Sequence, residues 1–296
     1  MRHVPRRHTA LHAAGVTITP YPTLRQILFL LVVAFPVSQF LVFPAFGEQS
    51  THAGLLAAEL FLLWMAALAL RRGKWVAEDV FLLNAVPSRA LWITLLAATG
   101  ASVVVSAFDM AVAAGFEMIP WSQPLYAAQM LVRIQLIDNL FSALLVLLTV
   151  VVVTAVCEEA LFRGLIFTGL RYHYGPGAAI LGSALLFAAV HLNPWQFPAL
   201  FLLGLFFAAL VHWTHSLYPA ILAHAANNAL SVLAVNSRAH TGIDLLGAIE
   251  PVPVAVLVAA GGALIAGIRW LRRIPPIMPI LSPFSRPAPA DGLPTV

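Results

Sequence analysis

The stretch AVCEEALFRGLIF, Ala155 to Phe167, decides how this chain is to be read. It lies within a long apolar run, yet it carries Glu158, Glu159 and Arg163. A charged side chain at the centre of a membrane span costs roughly 2.5–3.5 kcal/mol even on the lenient insertion scale. Either the run is not a span, or these three groups have a reason to be there.

Composition settles the first question. Of 296 residues, 61% are hydrophobic and 9% are charged, against about 25% charged in a soluble domain. A globule of this length would be left with a largely apolar surface, so the solvent for most of the chain is a bilayer. The formal charge of +4 falls in short loops and tails, which reads as a topology signal and not as a nucleic-acid surface. Cys157 is the only cysteine, which rules out an intrachain disulfide and reads as a small buried hydrophobe.

Working outward from the opening stretch, a ruler of roughly 20 apolar residues per span marks about eight segments. They are 25–46, 52–70, 90–115, 139–170, 176–192, 197–213, 217–236 and 251–270. The first is longer than a signal-peptide core of roughly 7–15 residues and reads as an uncleaved anchor. Arg71, Arg72, Lys74, Arg89, Arg171, Arg269, Arg272 and Arg273 all fall on one side if both termini are cytoplasmic. The opposite loops hold Glu48, Glu117, Asp138, Asp244 and Glu250, with only Arg133 and Arg238 as cations. That is the positive-inside pattern.

The expected fold class is therefore all-α, a polytopic membrane helix bundle of about eight transmembrane helices with both termini cytoplasmic, in the cell membrane. The organisation runs from a basic N-terminal segment (1–24) to N-terminal helices with an interfacial segment (25–138). A polar-cored helical unit (139–236), a final span (251–273) and a proline-rich, disordered tail (274–296) follow. The 139–170 segment would be roughly 48 Å long at 1.5 Å per residue, so it tilts, breaks or projects from the bilayer. Arg171 is expected in a loop.

Glu159 and Arg163 are i,i+4 and face each other on one helix, as a buried pair would. Glu158 lies about 100° round the helix and has no cation at helical spacing. What meets it must come from other helices. From a shared turn near residues 171–176, Glu158 stands roughly 20 Å up one helix and His191 roughly 22 Å up the next. His224 and Asn228 are i,i+4 on a third. Four polar groups from three helices thus converge near mid-depth. Phe187, one turn before His191, packs the helices. Asn227 points about 100° from Asn228 and is expected to bond a backbone group elsewhere. Glu59 and Asp109 either line a cavity or reach for the interface.

A carboxylate beside an imidazole can hold a water and take its proton. A histidine and an asparagine can donate to a developing oxyanion, each such donor being worth about 3–4 kcal/mol. The set supports water attack on a peptide bond, with Glu158 and His191 on the water and His224 and Asn228 on the intermediate. No serine stands in a Gly-x-Ser-x-Gly turn, which speaks against a covalent route. A metal-dependent version remains open, with Glu158, His191 and His224 as ligands of zinc. The absence of a His-Glu-x-x-His motif and the cation of Arg163 count against it, so no cofactor is the leading expectation.

At this point the residues resemble a known family. EEALFRG (158–164), FAAVH (187–191) and SLYPAILAHAANN (216–228) resemble the three motifs of the CPBP or Abi intramembrane proteases, which include CAAX prenyl protease 2 and bacteriocin-processing enzymes. The resemblance covers about residues 150–232. It implies a catalytic core over 139–236. It also implies that Glu158 and His191 activate water, that His224 and Asn228 form an oxyanion site, and that Glu159 and Arg163 support them. The implied partners are the bilayer and a membrane-associated protein or peptide, prenylated or bacteriocin-like. Two other classes stay in view. One is a non-catalytic immunity or scaffold protein of the same fold. The other is a proton-coupled transporter, which would need paired broken helices.

Overall fold

The computed structural model describes residues 21–48, 50–117, 125–246 and 252–274. Most of segment 1–24 and nearly all of tail 274–296 lie outside these residues, as does Glu250. Within them the chain is helical and contains no strand. Helix α1 spans Leu24–Gly47, α2 Thr51–Gly73 and α3 Ser88–Glu117, with one helical turn, Ala77–Val80, in the α2–α3 connection. A short helix α4, Leu125–Arg133, lies within the segment expected to be interfacial.

The run Leu140–Val190 is 51 residues long, but it is not one rod. Gly175 adopts φ 86 and ψ 175, a backbone state open mainly to glycine, and Pro176 follows. Phe162 and Phe187 have ring centroids 5.3 Å apart. In a continuous helix 25 residues would separate them by about 37 Å. The chain therefore turns back at Gly175, giving α5 (residues 140–174) and α6 (residues 176–190). Arg171 lies in the last helical turn of α5 and not in a loop, and its Nη1 donates to Nδ1 of His212 at 2.9 Å. Of the three expectations for the long segment, breaking is excluded: α5 stays helical throughout and contains two widened stretches, Leu147–Val153 and Ala160–Ile166. There Thr154 N donates to Thr149 O, five residues back, as Phe167 N does to Phe162 O. Helices α7 (Phe197–Thr214), α8 (Tyr218–Thr241) and α9 (Val254–Leu271) complete the bundle.

Local sequence explains the ends. Thr23 caps α1 reciprocally with Gln26, and Asn139 caps α5 reciprocally with Ser142, satisfying otherwise orphaned N–H groups. α6 stops where Leu192 enters the left-handed region at φ 51, a costly conformation for a branched side chain.

Residues 160–170 are buried on every face. A helix apolar all round sits at the centre of its bundle, and α1, α2, α6 and α7 surround this one. Gly169 lies against Pro22, Gly164 against the Phe81 ring and Gly182 against Leu170. By contrast Trp92, Phe141, Leu144, Val254, Val258 and many other large apolar side chains are exposed on the outside, which is stable in lipid and not in water. Six helical runs are long and apolar enough to cross a bilayer, one of them the folded α5–α6 hairpin. α8, at 24 residues, is long enough but too polar to be counted by composition. The molecule is a multi-pass membrane protein.

Candidate active site

α5 supplies three of the charged groups. Glu159 and Arg163 are both fully buried, with Nη1 of Arg163 donating to Oε1 of Glu159 at 2.8 Å. The guanidinium also donates through Nη2 to the carbonyl of Gly204 on α7 at 3.1 Å. It lies over the Phe187 ring at 4.4 Å and the Phe207 ring at 5.4 Å. A cation held by a carboxylate, a carbonyl and ring faces is compensated for its loss of water. The i,i+4 pairing read from the sequence is present.

The sequence did not reveal the second partner of Glu159. Nδ1 of His224, on α8, lies 2.9 Å from the same Oε1. A carboxylate can only accept, so Nδ1 carries the proton and Nε2 faces the other way. There Nε2 meets Oε2 of Glu158 at 3.7 Å, beyond a direct hydrogen bond. Glu158 retains 13% side-chain exposure where Glu159 has none. The two adjacent glutamates thus bracket one imidazole.

His191 ends α6, and its Nδ1 donates to the Phe187 carbonyl at 2.7 Å, which leaves Nε2 with a free lone pair. Phe187 stands between the two histidines, its ring centroid 4.8 Å from His191 and 5.9 Å from His224. It packs the helices as expected, and it also spaces the imidazoles. Phe207 stacks on His224 at 5.0 Å.

Asn228 donates through Nδ2 to the Val150 carbonyl at 2.9 Å, within the first widened stretch of α5. Asn227 does not bond a distant backbone group, as the sequence had led us to expect. Its Oδ1 accepts from the Ser102 hydroxyl at 2.9 Å, and its Nδ2 donates to Oδ1 of Asn228 at 3.4 Å. Both asparagines and His191 line a cavity of about 300 Å³ between α3, α7 and α8. Asp109 lines it as well, one of the two alternatives the sequence left open. Glu59 is 6% exposed on α2 and within electrostatic reach of Glu158, so it is held inside the bundle.

The expected residues fall into two neighbouring halves. Glu158, Glu159, Arg163 and His224 form one, and His191 with Asn228 faces the cavity in the other. Phe187 and the i,i+4 step from His224 to Asn228 join them. As a metal site the set fits poorly. Among the described residues no three His, Cys, Asp or Glu side chains converge at ligand spacing, and a guanidinium and an imidazole already occupy one oxygen of Glu159.

Residues 140–230 match a family model described as Rce1-like, type II CAAX prenyl endopeptidase Rce1-like. The match lies inside the 139–236 core and contains all three motifs, so the resemblance read from them is borne out over that region. No curated protein and no solved structure matches the chain.

Proposed function

We propose, for a multi-pass membrane protein whose residues 140–230 match the Rce1-like endopeptidase family, that it is an intramembrane endopeptidase. In this reading it hydrolyses a peptide bond of a membrane-associated substrate with an activated water. The observation that carries this reading is the placement of Glu158. It is the one carboxylate of the adjacent pair left without a short hydrogen bond, and it faces the Nε2 of an imidazole whose other nitrogen is anchored at 2.9 Å.

The chemistry follows from the donors and acceptors. Glu158 takes a proton from the water, and His191, which has its lone pair on Nε2, orients that water through a hydrogen bond. The water oxygen bonds to the scissile carbonyl carbon, and the carbonyl electron pair moves to its oxygen. The resulting oxyanion accepts from Asn228, whose Nδ2 keeps a second N–H beyond the one given to Val150. It also accepts from Nε2 of His224. The Nδ1 proton of His224 is committed to Glu159, so this second donor requires the imidazolium, whose charge the two flanking carboxylates balance. On collapse the carbon–nitrogen bond breaks. The proton held by Glu158 passes to the leaving nitrogen, giving a carboxylic acid and an amine; the acid then gives its proton to the amine, and the products leave as a carboxylate and an ammonium. Arg163 and Glu159 act through His224 by fixing its orientation.

The test is turnover of a lipid-anchored peptide by the purified protein in liposomes. Glu158→Ala and His191→Ala are each expected to lower the rate by about 10²–10⁴-fold, the span of a lost acid–base group. Either variant keeping full turnover would overturn the assignment. A membrane phenotype that survives Glu158→Gln would favour the non-catalytic alternative.

A further inference from the structure

The cavity beside His191 has a chemistry that hydrolysis alone does not require. Ser102, Ser106 and Asp109 follow one another at i, i+4 and i+7, one stripe of α3, and all three line it. Across it stand Asn227 and Ser231 of α8, with Gln135 at the rim. Nearly all of these polar groups are engaged. Besides the Ser102–Asn227 bond, the Ser106 hydroxyl donates to the Leu246 carbonyl at 2.8 Å. The Ser231 hydroxyl donates to Oε1 of Gln135 at 2.8 Å, and Nε2 of Gln135 donates to the Leu131 carbonyl at 2.8 Å. The exception is Asp109. Its carboxylate is the one formally charged group in the lining, and among the described residues no cation pairs with it.

A carboxylate inside a span is expensive unless something meets it. Here the three serine hydroxyls have given their hydrogens to other oxygens, and among the described residues no N–H of the lining amides bonds the carboxylate. The volume of about 300 Å³ equals about ten waters at roughly 30 Å³ each, room for one long side chain. The same wall contains His191 and Asn228, so whatever fills the cavity lies against the proposed reaction centre.

We infer that this cavity is the pocket for a substrate residue flanking the scissile bond, and that Asp109 selects a lysine or arginine there. The inference rests on the endopeptidase reading and adds a substrate class to it. A free C-terminal carboxylate placed in this pocket would face Asp109 and be repelled. The cleaved bond therefore lies within a chain that carries a basic residue beside it, and the terminus lies elsewhere.

The experiment uses the full-length protein in liposomes and a series of palmitoylated decapeptides identical except for one residue, which is Lys, Gln, norleucine or Glu. That residue is stepped through the sequence. Turnover is followed with the native protein, and binding with the Glu158→Ala variant, so that recognition is read even if no bond is cut. At one position the lysine peptide is expected to bind and turn over about 30-fold better than the glutamate peptide, the order of effect for a desolvated charge pair against a like-charge contact. Asp109→Asn is expected to flatten that ratio to within about threefold by raising KM and not by lowering kcat, and Asp109→Glu to keep it. A charge preference unchanged in Asp109→Asn, or none at any position, overturns the pocket assignment. Binding preference that depends on Asp109 without any turnover would leave the pocket standing and remove the endopeptidase reading instead.

Discussion

Arg163 is fully buried behind the candidate site. It ties α5 to α7 through Gly204 and orients Glu159, which in turn orients His224. Removing one member of a buried pair leaves an uncompensated charge, at a cost of about 3–5 kcal/mol. Arg163→Met should therefore lower both the thermal midpoint and the activity. Glu158→Gln, which changes a partly exposed group, should abolish activity and leave the midpoint nearly unchanged. Unfolding scans in detergent beside a peptide-cleavage assay separate the two. If Arg163→Met kept the native midpoint, Arg163 would not hold the core in this way. The pairing of Glu159 with Arg163 could be read from i,i+4 spacing alone, because one helix fixes both ends. The bond from Glu159 to His224 spans 65 residues and depends on how far two helices rotate against each other, which no local pattern encodes. Glu59 escaped for the same reason. Its height along α2 could be counted, but not the neighbour it faces.

At the scale of the elements, the hairpin and the close helix contacts set the position of the site. The reversal was legible as a turn near residues 171–176, which the structure narrows to Gly175, and it brings Phe187 back beside Phe162. The widened stretches of α5 were not legible, since their residues carry no period that distinguishes them from an ordinary helix. Such stretches are rare and frequent at functional sites. Here one precedes Glu158 and the other contains Arg163. Glycine marks where helices approach most closely. A Cβ on Gly204 would lie 3.1 Å from both Cα and Cβ of Ala184 on α6, and the Gly204 carbonyl is the one that holds Arg163. Gly204→Val should push α7 from α6, destabilise by about 1–3 kcal/mol as overpacking does, and cut activity through Arg163. Gly262 on α9 has no atom within 4 Å of such a Cβ, so Gly262→Ala should leave activity alone and hold or raise the midpoint through better helix propensity. Parallel melts and assays of the two variants check this. Equal tolerance at both positions would mean that the α6–α7 contact does not set the site.

Over the whole molecule the two ends differ in charge, and that difference orients the site. Arg89 lies over Trp270 at 5.3 Å, Arg272 over Trp213 at 6.0 Å, and Arg171 reaches His212. Nδ2 of Asn84 donates to the His215 carbonyl at 2.6 Å, and Thr168 donates to the Val80 carbonyl at 2.9 Å. These contacts gather the α2–α3 connection and the ends of α3, α5, α7 and α9 into one basic rim, in keeping with the loop charges in the sequence. The cavity lies toward the other end, where Leu246 and Gln135 form part of its wall and His240 bonds the Ile137 carbonyl at 2.9 Å. The positive-inside rule predicts a cytoplasmic basic rim, and with it a cavity that opens on the opposite face and receives its substrate from there. Cys157 is buried and the only cysteine, so a Cys157→Ala background permits single-cysteine mapping. Ile243→Cys, at an exposed position near the cavity, should react with a membrane-impermeant maleimide on intact cells. Glu78→Cys, at the basic rim, should react only after permeabilisation. The reverse pattern would place the cavity on the cytoplasmic side and admit cytoplasmic substrates. The expected pattern would restrict the proposed endopeptidase to peptides that present their cleavage site from the non-cytoplasmic face, with the basic residue inferred to meet Asp109 arriving from that side.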